Sequence, residues 1–122
     1  MEQIAKVFKA LSDETRLRIL NILLQRECCV CEVMQALDIS QTRASRNLNI
    51  LHDSGFVKAK RNGMWVLYSV NIQDMPEQYM LLIDVMKKSL ENSLEAKNDR
   101  ERLKKAKRVL LNGACAGSGS CN

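Results

Sequence analysis

Apolar residues recur at helical spacing along the first half of the chain and predict four helices in succession. The apolar positions follow the i, i+3, i+4, i+7 spacing that places them on one face of an α-helix. The third helix is predicted over residues 29–37, and the fourth runs from the cap Ser40 to about His52. Ser12 or Asp13 caps the second helix. The first two apolar stripes are Ile4, Val7, Phe8 and Leu11, then Leu17, Leu20, Leu23 and Leu24.

After Gly55 the pattern changes from helical spacing to the alternation typical of strands. Residues 56–60 and 65–70 predict two strands. The intervening Arg61-Asn62-Gly63 predicts a hairpin turn, because Asn-Gly supplies the positive φ angles that such turns need. The short third helix, the tight Asp38-Ile39-Ser40 connection and the polar-faced fourth helix indicate a helix-turn-helix, which the hairpin extends to a winged helix-turn-helix.

A last long helix is predicted to start at Asp74 as N-cap with Pro76 in the first turn. It is apolar on nearly every side as far as Leu90, which one small domain cannot cover. Burial against a second copy of the chain is the simplest solution, so we expect a homodimer formed through the first and last helices. Beyond Glu91 the same helix is expected to continue as a charged, solvent-facing extension with ion pairs between successive turns.

Composition narrows the class of partner. The 122 residues carry a net charge of +5, which favours a polyanionic partner such as nucleic acid. The N-terminus has no signal-like segment and no stretch is long and apolar enough to span a bilayer, so we expect a cytosolic protein without membrane contact. Thiols stay reduced there, and five clustered cysteines then indicate ligation or redox chemistry instead of a disulfide framework.

Three of the cysteines, Cys28, Cys29 and Cys31, lie at the predicted start of the third helix. Soft thiolates suit As(III), Sb(III), Cd(II), Pb(II), Zn(II) or Cu(I). Cys29 and Cys31 can converge only at a helix start, where the helix dipole also favours thiolate, and Cys28 and Cys31 lie close in any helical turn. We therefore predict a three-sulfur site. Two further cysteines, Cys115 and Cys121, lie in a Gly/Ser-containing C-terminal tail.

The fourth helix has the short polar and basic side chains of a DNA-recognition helix. Gln pairs with adenine and Arg with guanine, whereas Ser and Thr contact bases or phosphate. Basic residues on the wing are expected to meet phosphates or the minor groove. The predicted DNA-binding residues are Gln41, Thr42, Arg43, Ser45 and Arg46 on the helix and Lys58, Lys60 and Arg61 on the wing.

The predicted fold class is therefore mainly α with a small β-hairpin (α+β). Residues 1–92 form a winged helix-turn-helix domain for DNA binding and dimerisation, residues 93–111 a charged helical extension, and residues 112–122 a flexible cysteine-containing tail. The sequence contains no phosphate loop or nucleophile triad, so we do not expect an enzyme.

Several ordered motifs over about residues 4 to 90 resemble the ArsR/SmtB metalloregulators. The resemblance implies a homodimeric repressor that binds an inverted-repeat operator in double-stranded DNA without a cofactor and leaves it when the inducer binds. The motifs are Thr15-Arg16-Leu17-Arg18-Ile19-Leu20, Cys29-Val30-Cys31-Glu32, Ser40-Gln41, Ser45-Arg46-Asn47-Leu48, Leu51-His52-Asp53-Ser54-Gly55-Phe56-Val57 and Arg61-Asn62-Gly63-Met64-Trp65-Val66-Leu67-Tyr68.

The chain departs from the family pattern at two positions. A His usually follows the Ser-Arg pair, where this chain has Asn47, and arsenic sensors of the enteric type have a third Cys where this chain has Met34. The preferred inducer is As(III) or Sb(III), with Cys28 as third ligand or with Cys115 or Cys121 in its place. Two alternatives stay open, namely a four-sulfur Cd(II)/Pb(II)/Zn(II) site that uses the tail cysteines, and a repressor that responds to thiol oxidation.

Overall fold

The computed structural model describes residues 1–109, which form six helices and one two-stranded antiparallel sheet. The mainly α fold with a β-hairpin is confirmed: α3 and α4 form the helix-turn-helix, and β1 and β2 form the wing. None of the helices in this range is long and apolar enough to cross a membrane. The elements are α1 Glu2–Leu11, α2 Glu14–Leu23, α3 Val30–Leu37, α4 Gln41–Asp53, β1 Val57–Asn62, β2 Trp65–Val70, α5 Glu77–Leu90 and α6 Leu94–Lys105.

Side-chain caps fix the starts of α2 and α4. The Asp13 carboxylate accepts a hydrogen bond of 3.1 Å from the Arg16 N–H, and the Ser40 hydroxyl accepts one of 3.1 Å from the Arg43 N–H. Each bond satisfies one of the N–H groups that the first helical turn leaves without an intrahelical partner. Both predicted caps are therefore confirmed.

The connection between α3 and α4 depends on one left-handed residue. Asp38 has φ 56° and ψ 54°, and its N–H donates to the Met34 carbonyl to close the C-terminus of α3. A residue in this conformation reverses the chain within two positions, so that Ser40 already caps α4. The tight turn sets the angle between the two helices of the helix-turn-helix.

The hairpin is built on glycine alone instead of an Asn-Gly pair. Asn62 pairs with Trp65 as the last rung of the sheet, which leaves Gly63 and Met64 as the loop. Only Gly63, with φ 66°, has the positive φ that a two-residue hairpin requires at its first position in a type II′ turn. The prediction that Arg61 and Asn62 belong to the turn is therefore wrong, because both residues pair with β2.

The last part of the predicted fold needs two corrections. Pro76, not Asp74, occupies the N-cap of α5, because Asp74 lies too far from the first turn at Glu77. The charged segment does not continue α5: that helix ends at Leu90, and Ser93 caps a separate helix through a hydrogen bond of 3.2 Å from the Ala96 N–H to its hydroxyl. The chain can thus turn back onto the helix-turn-helix.

The helix α6 packs against α2 and α3, so the prediction of a solvent-facing extension is wrong for one side of this helix. Asp99 is fully buried and accepts hydrogen bonds of 2.8 to 2.9 Å from Arg18 and Arg102. The same two guanidinium groups also donate to the last carbonyls of α3, those of Ala36 and Leu37. The helix ends at Lys105, six residues before the predicted end of the charged extension at 111.

We predict that two substitutions at the exposed Asp38 differ in their effect on stability. Valine is β-branched and tolerates a left-handed backbone poorly, so Asp38→Val should lower the free energy of unfolding by about 1–2 kcal/mol. Asp38→Gly adopts the same backbone without strain and should stay within about 1 kcal/mol of the parent protein. Urea unfolding followed by circular dichroism measures both. Equal losses in the two variants would contradict the strain argument.

Candidate functional site

The recognition helix α4 presents a polar face to solvent and an apolar face to the core. Ala44, Leu48 and Leu51 are buried, and they fix the rotation of the helix on the domain. Of the predicted DNA-binding residues, Thr42, Arg43 and Arg46 are exposed, while Gln41 and Ser45 are half-buried. Asn49 is also exposed, and it was missed by sequence reasoning although it follows Thr42 by seven positions and therefore lies on the same face.

A hydrogen-bonded network ties the start of α4 to the start of α2. Arg43 Nη2 donates to Thr15 Oγ1 at 2.7 Å, and Asn47 accepts from Arg16 Nη1 at 2.9 Å. The Asn47 amide also donates to the Arg43 carbonyl. Asn47 is buried within this network, so the residue that departs from the family pattern stabilises the contact between two helices and is not presented to a ligand.

The wing carries its basic residues on an exposed strand. Lys58, Lys60 and Arg61 are all exposed on β1, whereas the paired strand β2 contributes the buried Leu67 and Val70. Strand alternation places Lys58 and Lys60 on one face and Arg61 on the other. The wing can therefore present two positive charges together, as expected for a phosphate contact.

The three clustered cysteines lie in three different backbone environments. Cys28 pairs with Tyr68 of β2 through two backbone hydrogen bonds of 3.0 and 2.8 Å, so it is extended and not part of a helical turn. Cys29 is the N-cap of α3, and Cys31 lies inside its first turn. The helix start expected for Cys29 and Cys31 is thus present. The expectation that Cys28 and Cys31 share a helical turn is wrong, because the bridge to the wing holds Cys28 outside the helix.

A capping box closes the first turn of α3 around Cys29. The Cys29 sulfur accepts from the Glu32 N–H, and the Glu32 carboxylate accepts from the Cys29 N–H at 2.9 Å. A cysteine sulfur therefore occupies the position that a Ser or Thr hydroxyl usually fills. A ligand that takes this sulfur must compete with the cap.

Glu32 is buried beside the thiols and is held by two arginines. Arg26 Nη1 lies 2.7 Å from its Oε2, and Arg108 Nε lies 2.9 Å from its Oε1. Burial opposes ionisation of this carboxyl, but hydrogen bonds from Arg108, Cys29 and Arg26 outweigh it and lower the pKa of Glu32. The carboxylate is therefore charged, and it repels any thiolate that forms nearby.

The thiols of Cys28 and Cys29 are protonated at neutral pH in this conformation. Burial, reinforced by the Glu32 charge, raises the pKa of Cys28 to about 12 although Arg26 opposes the shift. Burial also raises the pKa of Cys29, against the hydrogen bond from the Glu32 N–H. Both side chains are fully buried. A thiophilic ion must therefore displace protons and open this region in order to bind.

Within residues 1–109 no three His, Cys, Asp or Glu side chains are arranged to hold a metal ion. The predicted triad Cys28, Cys29 and Cys31 is close in sequence, but the bridge at Cys28 and the cap at Cys29 keep it unassembled in this conformation. Cys115 and Cys121 lie outside the described residues. Thiols are the right donors for a soft ion, so the chemistry fits while the observed geometry requires rearrangement.

The segment after α6 runs back along α3 to the cysteines. Lys107 exchanges two hydrogen bonds with the Gln35 side chain, at 2.7 and 3.1 Å, and Arg108 pairs with Glu32. The Val109 carbonyl oxygen then lies 3.3 Å from Cys31 Sγ. The chain therefore passes the cluster six residues before Cys115.

We predict that the Cys28 thiol makes the protein less stable at alkaline pH. Between pH 9 and about 12 the unfolded chain releases this proton and the folded protein retains it. The free energy of unfolding therefore falls as pH rises, by at most about 1.4 kcal/mol per pH unit from this group. Urea unfolding at pH 8, 9 and 10 should show a steeper decline for the parent protein than for Cys28→Ala. Parallel declines would refute the shift.

The winged helix-turn-helix with an exposed basic recognition face is the architecture of DNA-binding transcriptional regulators. A family model described as bacterial regulatory protein, arsR family, matches residues 13–59. An uncharacterised HTH-type transcriptional regulator of Methanocaldococcus jannaschii is 38% identical over 84 residues, which are 68% of this chain and 93% of that protein. This chain belongs to the ArsR family of bacterial regulatory proteins.

Two further relatives are named for different elements. The arsenic resistance transcriptional regulator ArsR2 of Pseudomonas putida is 50% identical over 66 residues, 53% of this chain. The cadmium resistance transcriptional regulatory protein CadC homolog of Staphylococcus aureus is 44% identical over 69 residues, 56% of this chain. The chain spans 57% of the length of each of these two regulators.

A solved structure with the same fold comes from Mycobacterium bovis. It is the homodimeric winged helix-turn-helix DNA-binding domain of a possible ArsR-family transcriptional regulator. The two chains are 32% identical and superpose with a TM-score of 0.63 over 76% of this chain and 82% of that domain.

Proposed function

We propose that this protein is a repressor that binds operator DNA as a metal-free homodimer and releases it when As(III) or Sb(III) binds Cys29, Cys31 and a third sulfur. The observation that carries the proposal is the position of the thiols at the N-terminus of α3, one short helix ahead of the recognition helix. The names of the relatives support a thiophilic inducer, and the preference for a trivalent metalloid rests on the three local cysteines.

Two features around the first turn of α3 offset part of the cost that burial and Glu32 impose on thiolate formation. The positive end of the helix dipole stabilises negative charge there, and Arg26 lies 3.9 Å from Cys28 Sγ. Arsenite in water is the neutral As(OH)3, so three As–O bonds would be exchanged for three As–S bonds and each thiol proton would leave as part of a water molecule. Because no net proton is released, binding should depend little on pH below the pKa values of the thiols.

Ligand binding must break contacts that fix α3. If the Cys29 sulfur turns toward the ion, it leaves the Glu32 N–H and the capping box opens. If the Cys28 sulfur moves toward the ion, the bridge between Cys28 and Tyr68 on the wing is strained. The far end of α3 sets the start of α4 through Asp38, so a shift of α3 moves the recognition helix. A coupling free energy of about 1–3 kcal/mol, or roughly 5- to 150-fold in DNA affinity, is typical of such a switch.

The proposal of a homodimer is supported by apolar side chains that the single chain leaves uncovered. Ile4 and Phe8 on α1 and Leu81 and Val85 on α5 are exposed, although each helix also buries a few residues in the core. We propose that a second copy covers these two helices. Two recognition helices would then face two half-sites of an inverted repeat.

Serine substitutions test the inducer site. The operator in this experiment is a DNA duplex that the parent protein selects from a pool of random sequences. Cys29→Ser keeps a side chain that can cap α3, because the serine hydroxyl replaces the sulfur. This variant and Cys31→Ser should both bind DNA with the affinity of the parent protein. Neither should release DNA with arsenite, whereas the parent protein should. Fluorescence anisotropy measures binding and release. If the doubly substituted protein is still released by arsenite, the site assignment is wrong; if peroxide releases the parent and arsenite does not, oxidation is the trigger.

The path of the C-terminal segment favours a second candidate, a four-sulfur Cd(II), Pb(II) or Zn(II) site that includes the tail. Val109 lies against Cys31, and Cys115 and Cys121 follow within twelve residues of it. X-ray absorption on the arsenite-loaded and cadmium-loaded protein counts the sulfur neighbours. Three sulfur neighbours in both the parent protein and the double variant Cys115→Ser/Cys121→Ser would assign Cys28 as the third ligand. A loss of sulfur in that variant would assign the tail.

Dimerisation has a matched pair of substitutions. Leu81 on α5 and Leu94 on α6 are both largely exposed. Leu81→Glu should shift the protein toward the 13.9 kDa monomer and weaken operator binding, because it buries a charge in the proposed interface. Leu94→Glu should leave both unchanged. Sedimentation velocity measures the mass, and a Leu81→Glu variant that stays dimeric would exclude this surface.

A further inference from the structure

The first turns of α2 and α4 border a polar cleft of about 370 Å³ next to the exposed face of the recognition helix. Both helices point their N-terminal ends at it, since residues of both caps and both first turns line its wall. The residues that line it include Asp13, Thr15, Arg16, Thr42, Arg43 and Arg46.

The cleft is strongly electropositive. Three guanidinium groups face a single carboxylate, Asp13, whose oxygen already accepts the Arg16 N–H. The positive ends of two helix dipoles add to this charge, and the first turns carry N–H groups without intrahelical partners. Positive potential of this kind concentrates an oxyanion within hydrogen-bonding reach of several donors.

The three arginines have different roles. Arg16 donates to the Ala10 and Lys9 carbonyls and to Asn47, so its guanidinium is fixed as part of the wall. Arg43 is oriented by one bond to Thr15, which uses one of its five N–H donors. Arg46 is exposed at the edge of the cleft. Two guanidinium groups can therefore turn toward a ligand that the third helps to attract.

We propose that this cleft binds a phosphate of the DNA backbone, so that Arg43 and Arg46 position the recognition helix and do not read bases. The inference rests on the proposed DNA-binding function. A tetrahedral phosphate matches the planar donor forks of arginine and the hydroxyl of Thr42. Base reading then belongs to the remaining polar positions of the same face, which include Ser45 and the previously unassigned Asn49.

The salt dependence of binding tests the proposal with Arg46→Gln, Arg46→Lys and the control Lys97→Gln, which removes one charge from α6. Anisotropy is measured on the selected operator and on a scrambled duplex at about 50 to 200 mM salt. Arg46→Gln should weaken binding to both duplexes by the same factor. The slope of log affinity against log salt concentration should be shallower for this variant by about one unit per protomer. The loss of affinity between the lowest and the highest salt concentration should therefore be about threefold smaller per protomer than in the parent protein. Arg46→Lys should keep most of the slope, and Lys97→Gln should keep all of it.

Three outcomes would overturn the proposal. If Arg46→Gln weakens only the operator complex, the residue reads a base. If the salt slope of Arg46→Gln equals that of the parent protein, the substitution has removed no contact with a phosphate. If the parent binds neither duplex, the DNA-binding function fails together with this inference.

Inorganic phosphate separates the two sources of the ligand. Replacing chloride by phosphate at constant ionic strength should shift the amide resonances of Thr15 and Thr42 weakly, and duplex DNA should shift them strongly. Shifts with phosphate but none with DNA would make the cleft a site for the free anion and overturn the assignment to the DNA backbone.

Discussion

A buried carboxylate must be matched by donors, and this requirement at Glu32 organises the structure around the thiols. Its two oxygens accept hydrogen bonds from Arg26, Cys29 and Arg108. These partners belong to the loop before α3, to the cap of α3 and to the segment after α6. One side chain therefore joins three parts of the chain at the point where an inducer would bind, and a shift of any of them changes the surroundings of the others.

Asp99 makes the corresponding contact at the opposite end of α3. It is fully buried between Arg18 of α2 and Arg102 of α6, and these arginines also bind the terminal carbonyls of α3. The helix α6 and the segment after it thus contact α3 from its last turn to its first. A helix with this much charge can pack because its buried acid is paired and its exposed lysines remain in water.

Local signals predicted much of this fold. The caps Asp13 and Ser40, the turn at Asp38 and the alternating wing each depend on residues within a few positions, so periodicity and turn chemistry identify them. The docking of α6 could not be predicted, because its partners include the backbone carbonyls of Ala36 and Leu37, which any residue provides.

The candidate sites show the same division. The thiol cluster and the polar face of α4 are visible in the sequence. The bridge from Cys28 to Tyr68 spans forty positions, however, and the bond from Arg43 to Thr15 joins two helices. Both contacts change the role of a residue that the sequence had identified, since one holds a thiol outside the helix and the other turns a basic side chain toward α2.

The choice of third sulfur determines which part of the fold would transmit the signal. Recruitment of Cys28 would act on the bridge to Tyr68 and so on the wing, because that bridge joins the cysteine to β2. Recruitment of a tail cysteine would instead pull on the segment held by Glu32 and Gln35, and so on α6. Both routes begin at the same capped turn of α3, since Cys29 and Cys31 belong to either ligand set. The structure therefore connects the proposed thiol site to both elements that are predicted to contact DNA, the wing through Cys28 and the recognition helix through α3.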